Sequence, residues 1–340
     1  MAKRIGVGVV GLEHWYTAFG VLEEASKSPK TKLVAIADKS RKRLAEMKEK
    51  HQPGYATSDF ARVIEDPEVD LVCSLVNTRD NVQVATAALQ AGKHVACVKP
   101  MAMNLRQADA LIALAEREQR ILWSFDQLGR AGVDPELKAL LARGDIGKPL
   151  TLYHVAEGGL PKAWPNSTDP GWWADDELVP WGAWADHAIY TIDQLRCLFD
   201  SEVEMVQGTM ANRRYPRLKV EDWGLGVLHF ANGMVAVVED AWTAENYWCS
   251  WTKIVGTKGS VHVDPALSQA PVVATPKGLQ PIKRKKARRA GGLMAGLLEI
   301  FQAGVARPSP ARESRTNLAI ALGVYQSART GKAVRIADMK

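Results

Sequence analysis

Cysteine is scarce in this 340-residue sequence, and the four that occur form no pattern. Cys73, Cys97, Cys197 and Cys249 make no CxxC pair, and each sits in an apolar or helical stretch. That excludes a disulfide scaffold and a structural zinc site, and it suits buried thiols in a reducing compartment. Long apolar runs are also missing: no 18-residue stretch is hydrophobic enough to span a membrane. The first residues, Met1-Ala2-Lys3-Arg4-Ile5, enter a strand-like run without a signal-peptide core, so the chain reads as soluble and cytoplasmic. Nor is there a general surplus of basic charge. The net charge of +6 comes from 44 basic and 38 acidic residues. Lys283, Arg284, Lys285, Lys286, Arg288 and Arg289 account for that whole excess. A nucleic-acid-binding surface is therefore not expected. The run itself reads as a solvated loop, with binding of an acidic substrate, a partner or nucleic acid as the alternatives.

What is present is a globular composition, 46% hydrophobic and 24% charged, over a length that suits two domains. Up to about residue 125, short apolar runs alternate with helical stretches. Strands are expected at 4–10, 32–37, 70–76, 94–98 and 121–125, with helices at 15–27, 40–50, 81–91 and 104–118. Short connections between them are the mark of a doubly wound α/β domain with a parallel sheet. The pattern then changes. Strand-like runs at 150–157, 203–211, 224–230 and 234–241 and a strand-turn-strand run over 249–263 follow one another, with a helix near 184–199 and an Ala231-Asn232-Gly233 hairpin turn. This predicts an α+β domain with a mostly antiparallel sheet. The expected division is 1–125 and 126–340. A helix at 311–329 that packs back on the first domain and a short strand at 333–336 close the chain.

Gly6-Val7-Gly8-Val9-Val10-Gly11 matches G-x-G-x-x-G literally, but it would set the phosphate turn inside the first strand. The fingerprint should follow the strand and open the helix. In that register the turn starts at Gly11, and Glu13 and Tyr16 stand where the next two glycines belong. Those glycines let backbone approach the pyrophosphate and let helix and strand pack closely. Glu13 also brings a carboxylate toward the phosphates, unless it turns outward. Asp38, at the end of the second strand, suits the ribose hydroxyls of an adenosine, or is a turn aspartate without a ligand. An acid there favours NAD, while Arg41 and Arg43 leave NADP open.

Gly92-Lys93-His94-Val95-Ala96-Cys97-Val98-Lys99-Pro100 resembles the G-K-H-V-x-x-E-K-P segment of the glucose–fructose oxidoreductase / inositol dehydrogenase (Gfo/Idh/MocA) family. Val220-Glu221-Asp222-Trp223, Gly256-Thr257-Lys258-Gly259-Ser260 and the tail Ser327–Val334 agree with it in order. The chain departs from the family at the fingerprint glycines, at Val98 in place of a glutamate, and at Thr78–Gln83, which lacks the usual proline and histidine. The resemblance implies an N-terminal Rossmann domain and a C-terminal domain with an open-faced sheet, covered by another subunit in a homodimer or homotetramer. It also implies hydride transfer between a nicotinamide and a sugar, polyol or related cyclic alcohol.

On this reading the cofactor contacts are Gly8, Gly11, Leu12, Glu13, His14, Trp15, Asp38, Thr78 and Lys99. His14 beside Glu13 has no second ligand pair at suitable spacing, so no metal is expected. Lys99 ends a buried strand, where desolvation suits acid–base chemistry; a surface lysine is the bland alternative. Asp186, Tyr190 and Asp193 share one helical face. The family has D-x-G-x-H-x-x-D here, so Tyr190 replaces the histidine, as in members resembling glucose–fructose oxidoreductase and dihydrodiol dehydrogenase. A Lys99 ammonium near the phenol would ease its proton exchange, with Asp186 orienting the substrate hydroxyl or the tyrosine. His187 lies one position off that face. Eleven tryptophans are unusual, and Trp164, Trp172, Trp173, Trp181 and Trp184 cluster. Trp164 and Trp173, with His154, Lys99, Asp186, Tyr190 and Asp193, form the expected substrate wall, unless the rings only clamp an irregular loop to the core. The alternatives to a dehydrogenase are a redox-assisted lyase or glycosidase with tightly held NAD, and a non-catalytic sensor on the same scaffold.

Overall fold

The computed structural model describes residues 4–245, 247–266, 270–282, 294–303 and 309–340. The basic run at 283–289 lies outside them. By its internal contacts the chain divides into two units.

The first unit takes residues 1–126, 162–179 and 289–315. It alternates β1 (Ile5–Val10), α1 (Trp15–Lys27), β2 (Thr31–Ala37), α2 (Arg41–His51), β3 (Tyr55–Thr57), α3 (Phe60–Glu65), β4 (Leu71–Ser74), α4 (Thr78–Gln90), β5 (His94–Cys97), α5 (Leu105–Arg117) and β6 (Leu122–Ser124). The strands pair in parallel in the order β3-β2-β1-β4-β5-β6. From β1 the chain winds first to one side and later to the other. The crevice at the carboxyl ends of β1 and β4 is thus the switch point where a doubly wound sheet takes its ligand. Strand residues such as Val7, Val9, Leu71, Val72 and Val95 are fully buried, each contributing about 1.5–3 kcal/mol of burial. Asn77 caps α4 by accepting from Asp80 N, and Asn104 caps α5 by accepting from Gln107 N. The sequence pattern misses β3 and α3, whose three and six residues are too short to display a period. Among residues 289–315, Arg312 and Arg315 pair with Glu116 and Asp109 of α5.

Gly8 is not a nucleotide contact, contrary to the expectation. It sits inside β1, and a Cβ there would lie 2.6 Å from Val63 Cγ1. Its missing side chain lets the residues around α3 close onto the sheet.

The second unit takes residues 127–161, 180–288 and 316–340. It contains α6 (Leu128–Ala131), α7 (Pro135–Arg143), β7 (Pro149–Glu157), α8 (Ala183–Phe199), β8 (Val203–Ala211), β9 (Trp223–Phe230), β10 (Val235–Ala241), β11 (Cys249–Gly256), β12 (Ser260–Val263), β13 (Val272–Thr275) and β14 (Gly278–Pro281). Further along the chain come α9 (Ala295–Ala303), which belongs to the first unit, α10 (Ala311–Thr330), which belongs to the second from residue 316 on, and β15 (Val334–Arg335). Nine strands form one sheet, β14-β13-β12-β11-β7-β10-β9-β8-β15, antiparallel except for the β7/β10 pair. Gly233 has φ +86 in the expected Ala-Asn-Gly turn between β9 and β10. Helix α8 lies on one face of this sheet. Gly224 and Gly226 on β9 make the room: a Cβ on Gly226 would meet the Trp184 ring at 2.5 Å. The first turn of α8 has no capping side chain of its own, because its N-cap is Gly182. Glu221 substitutes, accepting from Gly182 N and Trp184 N, with the Tyr325 hydroxyl donating to it at 2.6 Å. Burial pushes that carboxyl up to about 6.

Candidate active site

In the first unit the carboxyl edge of the sheet is built around Gly11. Its φ of +85 makes the turn, and a Cβ would lie 2.3 Å from Val76 Cγ1, so only glycine fits. Asp38 stands beside it, buried. Its Oδ2 accepts from Leu12 N and its Oδ1 from Ser40 N, both at 2.7 Å. Burial raises its affinity for a proton, against the pull of those two bonds and of Arg43 and Lys39. A cavity of about 220 Å³ opens here between Gly11, Asp38, Ser40, Arg43 and Phe60. Glu13 lines the same cavity, and its Oε2 accepts from Asn77 N at 2.8 Å and from Asn77 Nδ2 at 3.1 Å.

Residues 162–179 run across this same edge as a strap. Trp15 Nε1 donates to Lys162 O, an Arg43 guanidinium nitrogen to Ala163 O, Trp172 Nε1 to Glu13 O, and Arg79 N to Leu178 O. Trp172 and Trp173 stack at 4.0 Å and are buried. The Trp173 ring meets His14 edge-on at 4.8 Å and lies 5.4 Å from the ammonium of Lys99. Lys99 lies two residues past the end of β5 and is only 2% exposed. Trp164 is engaged elsewhere than expected. The Arg43 guanidinium stacks on it at 4.7 Å and Phe19 abuts it at 5.2 Å. It anchors the strap to α1 and α2.

Three polar atoms at this edge are buried without a hydrogen-bond partner among the described residues: Ser74 Oγ, Thr78 Oγ1 and Trp173 Nε1. Buried polar groups are normally satisfied. With the cavity beside Asp38, they fit a nucleotide bearing hydroxyl and amide groups. The carboxylates of Glu13 and Asp80, which also line the cavity, depart from that fit, and Asn77 Nδ2 donates to both.

In the second unit the candidate groups Asp186 and Tyr190 lie along α8. Asp186 is nearly buried, and Trp242 Nε1 donates to its Oδ2 at 3.1 Å. His187 Nε2 lies 3.4 Å from the same oxygen, while its Nδ1 lies 3.2 Å from Asp240 Oδ1. Tyr190, one turn on, is partly buried. Its carbonyl oxygen would lie 2.1 Å from a Cβ on Gly129, so glycine there lets α6 approach α8. Asp193 does not belong to a substrate wall. It is fully buried and accepts from Arg130 N, the Arg130 guanidinium and Asn317 Nδ2. Its spacing from Asp186 matched the expected face, but its partners are structural. His154 points to the α8 side of the sheet with Leu152 and Ala156, bonded to Thr252 Oγ1 at 2.8 Å. Burial pushes it down to about 4, so it is neutral at pH 7. Asp240 and Trp242 carried no sequence signal, because each sits alone at the end of a strand that otherwise reads as ordinary sheet.

Comparison with known proteins ties both halves together. Residues 5–125 match the model described as "Oxidoreductase family, NAD-binding Rossmann fold", and residues 135–262 match the "GFO/IDH/MocA C-terminal domain". The chain belongs to the Gfo/Idh/MocA oxidoreductase family. Residues 5–125 are the NAD-binding Rossmann domain of that family. Myo-inositol 2-dehydrogenase of Thermotoga maritima is 29% identical over 80% of this chain and 79% of its own length. The 1,5-anhydro-D-fructose reductase of Ensifer adhaerens is 25% identical over 89% and 91%. Among solved structures, aldose-aldose oxidoreductase from Caulobacter crescentus, complexed with glycerol, superposes with a TM-score of 0.79 at 24% identity, covering 98% and 100%. It supports the fold. Among the described residues no helix is long and apolar enough to cross a membrane.

Proposed function

We propose that this oxidoreductase oxidises or reduces one hydroxyl-bearing carbon of a cyclic polyol or sugar. The relatives' names point to that substrate class: an inositol, an anhydro sugar and aldoses. Bound NAD supplies the hydride acceptor or donor. Lys99, Tyr190 and Asp186 handle the hydroxyl proton. Lys99 provides a positive charge that lowers the cost of an oxyanion, Tyr190 exchanges the proton, and Asp186 orients the hydroxyl. The observation that carries the reading is Lys99 itself, an ammonium 2% exposed at the carboxyl edge of a doubly wound sheet. On the cofactor side we assign Gly11, Leu12, Asp38, Thr78 and the Trp173 N–H to the nucleotide.

The strap favours a second form of the same chemistry. Four hydrogen bonds tie residues 162–178 across the nucleotide edge. A nucleotide beneath such a strap exchanges slowly, so hydride returned within one turnover, with no net redox change, is the variant to test. The sheet face opposite α8 carries Tyr153, Val155, Val227, Val237 and Trp251, with Tyr153 and Trp251 exposed. We assign this apolar face to contact with another copy of the chain, which light scattering reads directly.

The test is titration with NAD(H) and NADP(H), followed by tryptophan quenching and checked by calorimetry. Micromolar binding is expected, with turnover in a screen of myo-inositol, 1,5-anhydro-D-fructose and aldoses. Absence of binding up to millimolar, with no nucleotide released on denaturation, sinks the reading. Nucleotide released on denaturation, with turnover but no absorbance change, selects the redox-neutral form.

A further inference from the structure

The Gly92–Pro100 motif runs the length of β5, and the proposed reaction uses only its far end. Lys99 lies past the carboxyl end of the strand, whereas Gly92, Lys93 and His94 lie at the amino end, on the opposite edge of the sheet. A cavity of about 410 Å³ opens at that opposite edge, within the first unit. It has the size of a small-molecule site and exceeds the cavity beside Asp38. Arg4, Asp70, Lys93 and Arg120 line it from the amino ends of β1, β4, β5 and β6. His94 and Phe301 of α9 complete the wall, their rings meeting edge-on at 4.6 Å.

Three of these side chains are cations, and none has a carboxylate partner among the described residues. Lys93 Nζ donates to two carbonyls, Asp66 O at 2.7 Å and Val69 O at 2.9 Å. Arg120 lies across Gly92, where a Cβ would be 3.5 Å from Nη2, and its Nη1 donates to Gln119 O at a long 3.4 Å. Arg312 and Arg315 of the same unit, by contrast, are paired with Glu116 and Asp109. The acids just before Asp70 face elsewhere: Asp66 accepts from Tyr55 and Glu68 pairs with Lys32. Helices α4 and α5 also end at this edge, but backbone donors close their last turns, Ala91 N to Ala87 O and Arg120 N to Ala115 O. The Arg4 and Arg120 side chains are therefore not spent as helix caps. His94 adds a donor without charge. Its Nδ1 accepts from Ile121 N at 2.9 Å, which leaves the ring proton on Nε2. Burial and the Arg120 charge push it down to about 4, so the ring is neutral at pH 7.

Uncompensated positive charge around a cavity draws an anion. We propose that this cavity binds a small hydroxylated phosphate monoester, at a site separate from the nucleotide edge. Guanidinium N–H pairs suit phosphate oxygens, so Arg4 and Arg120 hold the phosphate, with the Lys93 charge behind them. Three cations against the Asp70 carboxylate leave two positive charges, which match a monoester dianion. Asp70, fixed by Gly6 N at 2.9 Å, accepts from a hydroxyl of the organic part, and Phe301, Ile5 and Val69 receive its carbon skeleton.

The test is calorimetry on the full-length protein saturated with NADH, which fills the nucleotide edge, with the NADH-free protein in parallel. The probe is glycerol 3-phosphate, which lies outside the cyclic substrates of the proposed reaction, so the outcome is independent of that reading. Binding of one ester per chain is expected, weaker for inorganic phosphate and absent for glycerol. Arg4→Gln and Arg120→Gln should each weaken it roughly tenfold or more. Arg329→Gln, exposed on α10, should leave it unchanged. NADH binding and the denaturation midpoint report the folding of each variant. In ring-15N-histidine protein the His94 resonances should shift as the ester is added, a readout that needs no variant. Absence of binding at millimolar ester, an unmoved His94 at saturation, or full affinity in both arginine variants overturns the proposal. Binding that NADH abolishes places the ester at the nucleotide edge and overturns it equally.

Discussion

Helix α8 carries two aspartates on one face, seven residues apart, and they do different things. Asp186 takes a tryptophan N–H and faces the partly exposed imidazole of His187. Asp193 is fully buried among Arg130, the backbone of α6 and Asn317 of α10. Helical periodicity groups them, and only their partners separate them. Asp186 stands beside an imidazole, a group that can exchange a proton near neutral pH. Asp193 stands among donors that cannot release one at neutral pH, since a guanidinium stays charged. A carboxylate on the right face is therefore a candidate, and its partners decide its role.

The largest effect should come from breaking the structural half. Asp193→Ala leaves the Arg130 guanidinium and Asn317 without their acceptor. Removing one partner of a fully buried pair costs about 3–5 kcal/mol, and the 34% exposure of the Arg130 side chain puts this pair at the low end. Chemical denaturation should show that loss, while kcat per folded molecule stays near wild type. A drop in kcat without loss of stability would reverse the two assignments. The converse change is Asp186→Asn. It keeps an oxygen for the Trp242 N–H, so stability should move by less than about 1 kcal/mol. The rate should fall roughly 100- to 1,000-fold. Steady-state kinetics beside the same denaturation curves reads both.

The sheet under the Asp186 half gives a smaller, pH-dependent effect. His154 lies beside Val238 on β10, two residues before Asp240. Its folded pKa of about 4 lies below the unfolded value of 6.5. The neutral ring is favoured in the fold, so this contribution is present above pH 6.5 and is lost as pH falls toward 4. The loss approaches about 3 kcal/mol. Glu221, raised to about 6, works the other way and restores about 2 kcal/mol as pH falls from 6 to 4.5. The difference in stability between wild type and His154→Gln should therefore shrink by about 3 kcal/mol between pH 6.5 and 4. A constant difference would show that His154 titrates as an ordinary exposed histidine.

Much of this was legible in the sequence, for identifiable reasons. The alternating apolar runs gave the parallel sheet because buried strands must be continuous in Val, Ile and Leu. Ala231-Asn232-Gly233 gave a hairpin because its glycine adopts positive φ. Lys99, Asp186 and Tyr190 stood out by residue type at strand end and helix spacing. Asp193 stood out equally, because Arg130 lies 63 positions away and Asn317 124. Asp240 was invisible for the same reason: it meets His187 only when β10 is laid under α8. The strap was seen as a tryptophan cluster, but its destination was not. The rings bind backbone carbonyls and an arginine of the first unit, and no local pattern encodes such partners.

The contrast on α8 recurs at the nucleotide edge, where it supports the smallest effect. Asp38 and Glu13 flank Gly11, and both accept backbone N–H groups. Asp38 holds the turn through Leu12 and Ser40, while Glu13 reaches to the start of α4 through Asn77. Glu13 stands where the family keeps a glycine beside the pyrophosphate. Two unit charges about 4 Å apart in a water-like medium repel by about 1 kcal/mol. Glu13→Gln removes that charge and keeps an oxygen for Asn77 N. NAD(H) should then bind about fivefold more tightly by calorimetry, and the gain should shrink with added salt. Weaker binding in Glu13→Gln would place Glu13 with Asp193: a carboxylate whose charge secures the architecture, here by drawing the start of α4 toward the turn after β1.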